Sequence, residues 1–198
     1  MYLQSSTKNI WSWTITFNKA LDFCMWALEI DGLQVAPFDQ HYEGDGALRA
    51  KGMNAVNWRA WIERVVDIQN QAWEEPETSE LVYRAMHPAS EWQGEPAVKE
   101  VLEDLWKHRY PHWSNKRKEG EWQLNQATQS QLFVQLRREL RPYHKIIPPL
   151  RIFVLGYPGK AAYLVPPQSL ILTLGSDVPE TEALHDLILH AVEMLADS

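Results

Sequence analysis

Trp11, Trp13, Ile15 and Phe17 alternate with Ser12, Thr14 and Thr16, and strict period-two alternation predicts a half-buried β-strand over 11–17. The period then changes. Asn18 is a suitable N-cap, Leu21, Cys24, Met25 and Leu28 follow at helical spacing, and Asp31-Gly32 is a stop signal, so a helix to about Ile30 is expected. A loop rich in Pro, Asp and Gly continues to Met53. Asn54 caps a second predicted helix, where Trp58, Trp61, Ile62, Val65, Val66 and Ile68 form a broad apolar stripe ending near Trp73 before Glu-Glu-Pro. Residues 74–95 carry no sustained period and support only a short helical turn over Glu80 to Met86. Pro96 suits the first turn of a helix over Ala97 to Arg109, with Val98, Val101, Leu102, Leu105 and Trp106 inward and Tyr110-Pro111 expected to end it.

A further helix is predicted from Leu124 to Leu140, burying Leu132, Phe133, Leu136 and Leu140 and closed by Pro142. Three short apolar runs follow, Leu150–Leu155, Ala161–Val165 and Leu170–Leu174, each bounded by Gly or Pro, and they read as strands. Gly156-Tyr157-Pro158-Gly159 has the residues of a type II turn, which predicts that the first two runs pair as an antiparallel hairpin. The strand at 11–17 has no neighbour close in sequence and is expected to join these strands. A last helix spans about Pro179 to Ala196. The expected fold is α+β, about five helices packed on a small three- or four-stranded, mainly antiparallel sheet. A single domain over 1–198 is expected: the N-terminal strand and a mostly helical part to about 145, then a C-terminal β-meander plus helix over 146–198.

A 198-residue chain that is 45% hydrophobic and 23% charged is long enough to bury a sizeable core without disulfides or metals. Its one cysteine, Cys24, lies in an apolar helical pattern and suits a structural thiol in a reducing compartment. The most hydrophobic N-terminal stretch is broken by Lys19, Asp22 and Glu29, so neither a signal peptide nor a membrane span is read there, and a cytoplasmic location without membrane association is expected. The ten tryptophans are a surplus for this length. Trp73, Trp92 and Trp113 fall in polar, Pro-containing stretches, where an exposed Trp would mark a partner surface.

Charge is sorted along the chain. Residues 105–160 hold eleven Lys/Arg and three acids, a block of +8 in a protein of net charge −7. Such a block serves an anionic partner or is neutralised by an acidic face of the same chain. Its densest part, Lys107 to Lys118, interleaves cations with aromatics, the combination that single-stranded nucleic acid uses for phosphate neutralisation and base stacking. Lys107, Arg109, Tyr110, Trp113, Lys116, Arg117 and Lys118 are therefore the candidate binding residues. An overall pI near 5.5 opposes a nucleic-acid role and favours a protein partner or an internal acidic contact.

Other motifs do not reach the chemistry they resemble. His185 and His190 are five residues apart on a predicted helix, about 140° around the axis, whereas metal-gripping pairs are four apart; an Asp186/His190 pair on a polar face is expected instead. The loop from Asp39 through Glu43, Gly44 and Asp45 partly resembles a calcium loop, but its twelfth position is Ala50 where a bidentate Glu is needed. Gly156 to Lys160 lacks the spacing and the following helix of a phosphate loop, and Pro158 removes an N–H that a nucleic-acid GXXG loop needs. No nucleophile motif is present, and no catalytic residue, metal ligand or cofactor is assigned. The expected function is non-enzymatic: a protein-interaction, adaptor or accessory subunit of a larger cytosolic assembly. Two alternatives stand beside it. One is a nucleic-acid-associated accessory protein using 107–118; the other is a hydrolase-like enzyme whose acid/base or metal residues converge from the 39–45 loop, His87 and the 108–112 region.

Overall fold

The structure is a computed structural model that describes residues 13–16, 18–38, 43–114, 136, 138–145, 150–155, 160–165, 169–174 and 181–196. The chain divides into two compact units, residues 18–117 and residues 1–17 together with 118–198.

The unit over 18–117 is helical. Helix α1, Lys19–Asp31, starts where the Asn18 side chain accepts from the N–H groups of Ala20 and Leu21 and ends at Gly32, whose φ of +67° is the left-handed conformation that glycine adopts without steric cost. Residues 20–28 of α1 are all buried, Asp22 among them, so the helix is covered on every side and central to its unit. Helix α2, Ala55–Glu74, carries a reciprocal capping box between Asn54 and Asn57 and buries the six expected stripe residues. Indole N–H groups satisfy buried carbonyls: Trp58 donates to Cys24 O at 3.0 Å and Trp61 to Pro88 O at 2.7 Å. Trp92 is buried and donates to Glu95 O, so it is a core residue of this unit.

Between α1 and α2 the loop is fastened by buried Asp31, which accepts from Leu48 N at 2.7 Å and from Arg49 N and Nε at 3.1 Å each. Gly44 lies against the end of α1, where a Cβ would fall 2.0 Å from Gly32 N. Helix α3 is Ser79–Met86, and α4 begins at Pro96.

The expected stop of α4 at Tyr110-Pro111 is not observed. The regular segment Pro96–Asp104 widens into a π-turn at Leu105–Arg109, where Tyr110 N–H reaches Leu105 O, and helix continues through Pro111 to Ser114. A proline inside a helix lacks a donor and crowds the carbonyl four residues back. The wider five-residue turn just before Pro111 relieves both conditions.

The second unit holds a four-stranded sheet in the order β1-β2-β4-β3, from β1 Trp13–Thr16, β2 Leu150–Leu155, β3 Lys160–Val165 and β4 Ser169–Leu174. The α+β class and the joining of the N-terminal strand to the C-terminal strands are as expected. The pairing is different: β1 runs parallel to β2, β2 parallel to β4, and only β3 and β4 are antiparallel. The sheet is mixed, the β2–β3 hairpin and the meander do not form, and β4 takes the place beside β2. Strands β2 and β4 are buried on both faces, as Leu150, Ile152, Val154, Leu170 and Leu172 on one and Phe153, Leu155, Ile171 and Thr173 on the other show. Both sit in the interior of the sheet, where a strand on either side satisfies their buried backbone groups. Strand β3 exposes Leu164 and begins at Lys160, so it tolerates the edge.

One face of the sheet packs against Ile188, Ala191 and Val192 of the C-terminal helix, Thr181–Ala196, and against Leu136 and Leu140. Leu132, Phe133 and the turn at 156–159 lie outside the described residues.

Candidate functional site

The basic segment of the helical unit is only partly described. Lys107 Nζ lies 3.9 Å from Glu103 and His108 Nε2 3.9 Å from Asp104, each one helical turn back, while Arg109 Nη1 lies 4.0 Å from Asp45. All six side chains are at least 45% exposed, so the pairs are solvated and screened.

Tyr110 is buried. Its ring stacks on Trp106 at 5.0 Å and meets Phe23 edge-on at 5.3 Å. Its hydroxyl lies 2.9 Å from Lys19 O and 3.2 Å from Asp22 Oδ2, so its single proton serves two acceptors of α1. Trp113 is half-buried, with its ring 5.6 Å from both Trp26 and Tyr110. The described aromatics of this segment thus anchor the end of α4 onto α1. Lys116, Arg117 and Lys118 lie outside the described residues.

The residues that an acid/base site would draw on have other engagements. Asp45 accepts from Ala47 N at 3.0 Å and faces Arg109, and its own N–H donates to Ile30 O, which makes the described end of the acidic loop a cap on α1. Asp39 and His41 lie outside the described residues. His87 Nδ1 is 2.7 Å from Tyr83 O; a carbonyl only accepts, so Nδ1 carries the proton. In the sheet unit, Asp186 pairs with His185 at 3.1 Å, while His185 Nε2 meets Glu139 at 2.6 Å. Burial opposes charge on His185, but the bonds to Asp186 and Glu139 outweigh it and raise its pKa. Cys24 is wholly buried, and burial followed by the charge of Asp22 pushes its thiol pKa well up, which leaves it an unreactive core residue.

A different surface emerges at α3. Among the described residues four large hydrophobics are exposed, Val56, Leu164, Tyr83 and Met86; the last two stand one turn apart on α3 and are each 56% exposed. Helix α3 buries none of its residues, although Leu81, Val82, Tyr83 and Met86 make up half of it. An isolated eight-residue helix is unstable in water. This one is held from behind: Gln69 of α2 donates to Ala85 O at 2.6 Å, and Arg84 forms a two-pronged ion pair with buried Glu91 at 2.8 and 2.7 Å.

The outward ring of Tyr83 stacks on His87 with centroids 4.0 Å apart and planes at 22°. That stacking, together with the His87–Tyr83 O bond, holds an aromatic side chain on the surface in one orientation. Half-buried Trp73 closes α2 just before this helix, and Glu74, Glu75, Glu77 and Glu80 surround the connection as exposed side chains.

The sequence pattern over Glu80 to Met86 was legible as a helical turn, but not that Tyr83 and Met86 stay exposed, because exposure depends on what packs above them. Among the described residues no helix is long and apolar enough to cross a membrane. Comparison with protein families, curated proteins and solved structures finds no match to this chain.

Proposed function

We propose that this protein is a non-enzymatic interaction subunit, an adaptor or accessory component of a larger assembly, and that α3 with the adjoining end of α2 is the face it offers to a protein partner. The observation that carries this reading is the pair Tyr83 and Met86, exposed one turn apart on a helix held by part-buried hydrogen bonds behind it. At 56% exposure each side chain has about half of the ~1.5–3 kcal/mol of full burial still to gain, and aromatic anchors dominate interface energetics. The stack on His87 removes part of the ordering cost that binding would otherwise carry.

The nucleic-acid reading draws less support, since Lys107 and Arg109 sit beside carboxylates and Tyr110 is turned inward. The 107–118 segment remains a secondary contact region in this proposal.

Site-specific photo-cross-linking tests the reading. p-Benzoylphenylalanine at Tyr83 is expected to give a discrete cross-linked protein in the cell, and the same probe at exposed Glu100 of α4 is not. Equal labelling from both positions, or none from position 83, would reject the α3 face. The double change Tyr83→Ala, Met86→Ala should move unfolding stability by no more than about 0.5 kcal/mol, as for ordinary surface substitutions.

A further inference from the structure

We infer that the partner of the α3 face is a cationic amphipathic segment of another protein, with Lys or Arg flanking an apolar anchor; this rests on the α3 interaction reading above. Between residues 65 and 83 the chain carries five carboxylates and no Lys or Arg. Four of them, Glu74, Glu75, Glu77 and Glu80, are exposed on the α2–α3 connection and the first turn of α3.

The cation next along the chain, Arg84, is paired with Glu91, whose side chain is only 5% exposed, and also feels the charge of Glu80. It therefore adds a neutral pair rather than a positive charge. Glu80, Tyr83 and Met86 are three apart in sequence, so one stripe of α3 reads carboxylate, aromatic, thioether.

An apolar anchor point with a rim of one sign selects a partner of the opposite sign and steers its approach, while phosphate-rich surfaces are repelled. That disfavours nucleic acid and an anionic bilayer at this face and favours a basic protein segment. The apolar pair supplies affinity, and the glutamates supply rate and selectivity.

The test uses the full chain and three fluorescein-labelled synthetic peptides of about 14 residues, long enough to form a marginal helix. All share one leucine pattern, with Lys, Gln or Glu at every other position. Anisotropy at about 50 and about 300 mM NaCl spans strong to weak screening.

The Lys peptide is expected to bind, and to bind at least about tenfold more tightly than the Gln peptide at low salt, with the Glu peptide weakest. Tyr83→Ala with Met86→Ala should weaken it by about tenfold or more. Glu77→Gln with Glu80→Gln should lose affinity and flatten the salt dependence, with circular dichroism confirming that both variants remain folded. Lys-peptide binding unchanged by the Tyr83/Met86 pair would overturn the assignment of this face. A Gln peptide that binds as tightly as the Lys peptide, or a position-83 cross-link in the cell with no peptide binding, would overturn the cationic partner and leave the docking face standing.

Discussion

At the scale of residues, burial decides which chemical groups are at work. His185 has carboxylates on both ring nitrogens, a geometry that favours imidazolium and raises its pKa above the ordinary value of 6.5. A raised folded-state pKa gives stability that is fully present below the unfolded value and lost as pH rises through the folded one. The difference in Tm between the native protein and His185→Gln should accordingly be largest just below pH 6.5 and should shrink on the alkaline side, as read by thermal melts at a series of pH values. A gap that widens with rising pH would contradict the charged staple.

Trp61 is 1% exposed, meets Phe23 and Trp92 edge-on and donates to Pro88 O. Trp61→Ala should cost about 3 kcal/mol or more in urea unfolding. A cost below about 1 kcal/mol would mean that the site is not packed.

At the scale of elements, local period and caps were enough to find most helices and strands, and the departures have identifiable causes. The α2 stripe and the Asn54 cap stand as read, since a cap and an amphipathic pattern are properties of neighbouring residues. Extension of α4 through Pro111 was not legible, because the π-turn that admits the proline is set by how Tyr110 is drawn under α1. The Gly-Tyr-Pro-Gly turn signal suggested a hairpin that does not form, because turn chemistry is local whereas strand pairing joins segments distant in sequence. The α3 surface was half legible: the helical turn was visible, its exposure was not.

The Gly44 contact is another such tertiary constraint. A methyl there would collide with Gly32 N and Asp31 C, both backbone atoms that cannot step aside. Gly44→Ala should destabilise the protein by about 2 kcal/mol or more, seen as a lowered urea midpoint.

At the scale of the whole molecule, the described start of the basic block makes only weak ion pairs. Lys107, His108 and Arg109 near the end of α4 sit beside Glu103, Asp104 and Asp45, yet all three contacts are long and exposed. Lys107→Gln with Arg109→Gln should therefore change unfolding free energy by less than about 1 kcal/mol. A larger loss would show that the pairs hold the fold together. The acidic stretch around α3 is exposed, and it also presents the apolar anchors.

By itself the sequence determined the class of fold, the positions of the main elements, the caps that open α1 and α2, and the uneven charge, because each follows from residues within a few positions of one another. Only the tertiary structure decided the order β1-β2-β4-β3, the inward turn of Tyr110 and the outward stand of Tyr83 and Met86. Those depend on which distant surfaces compete to cover an apolar side chain, and that competition has no local signature in the chain.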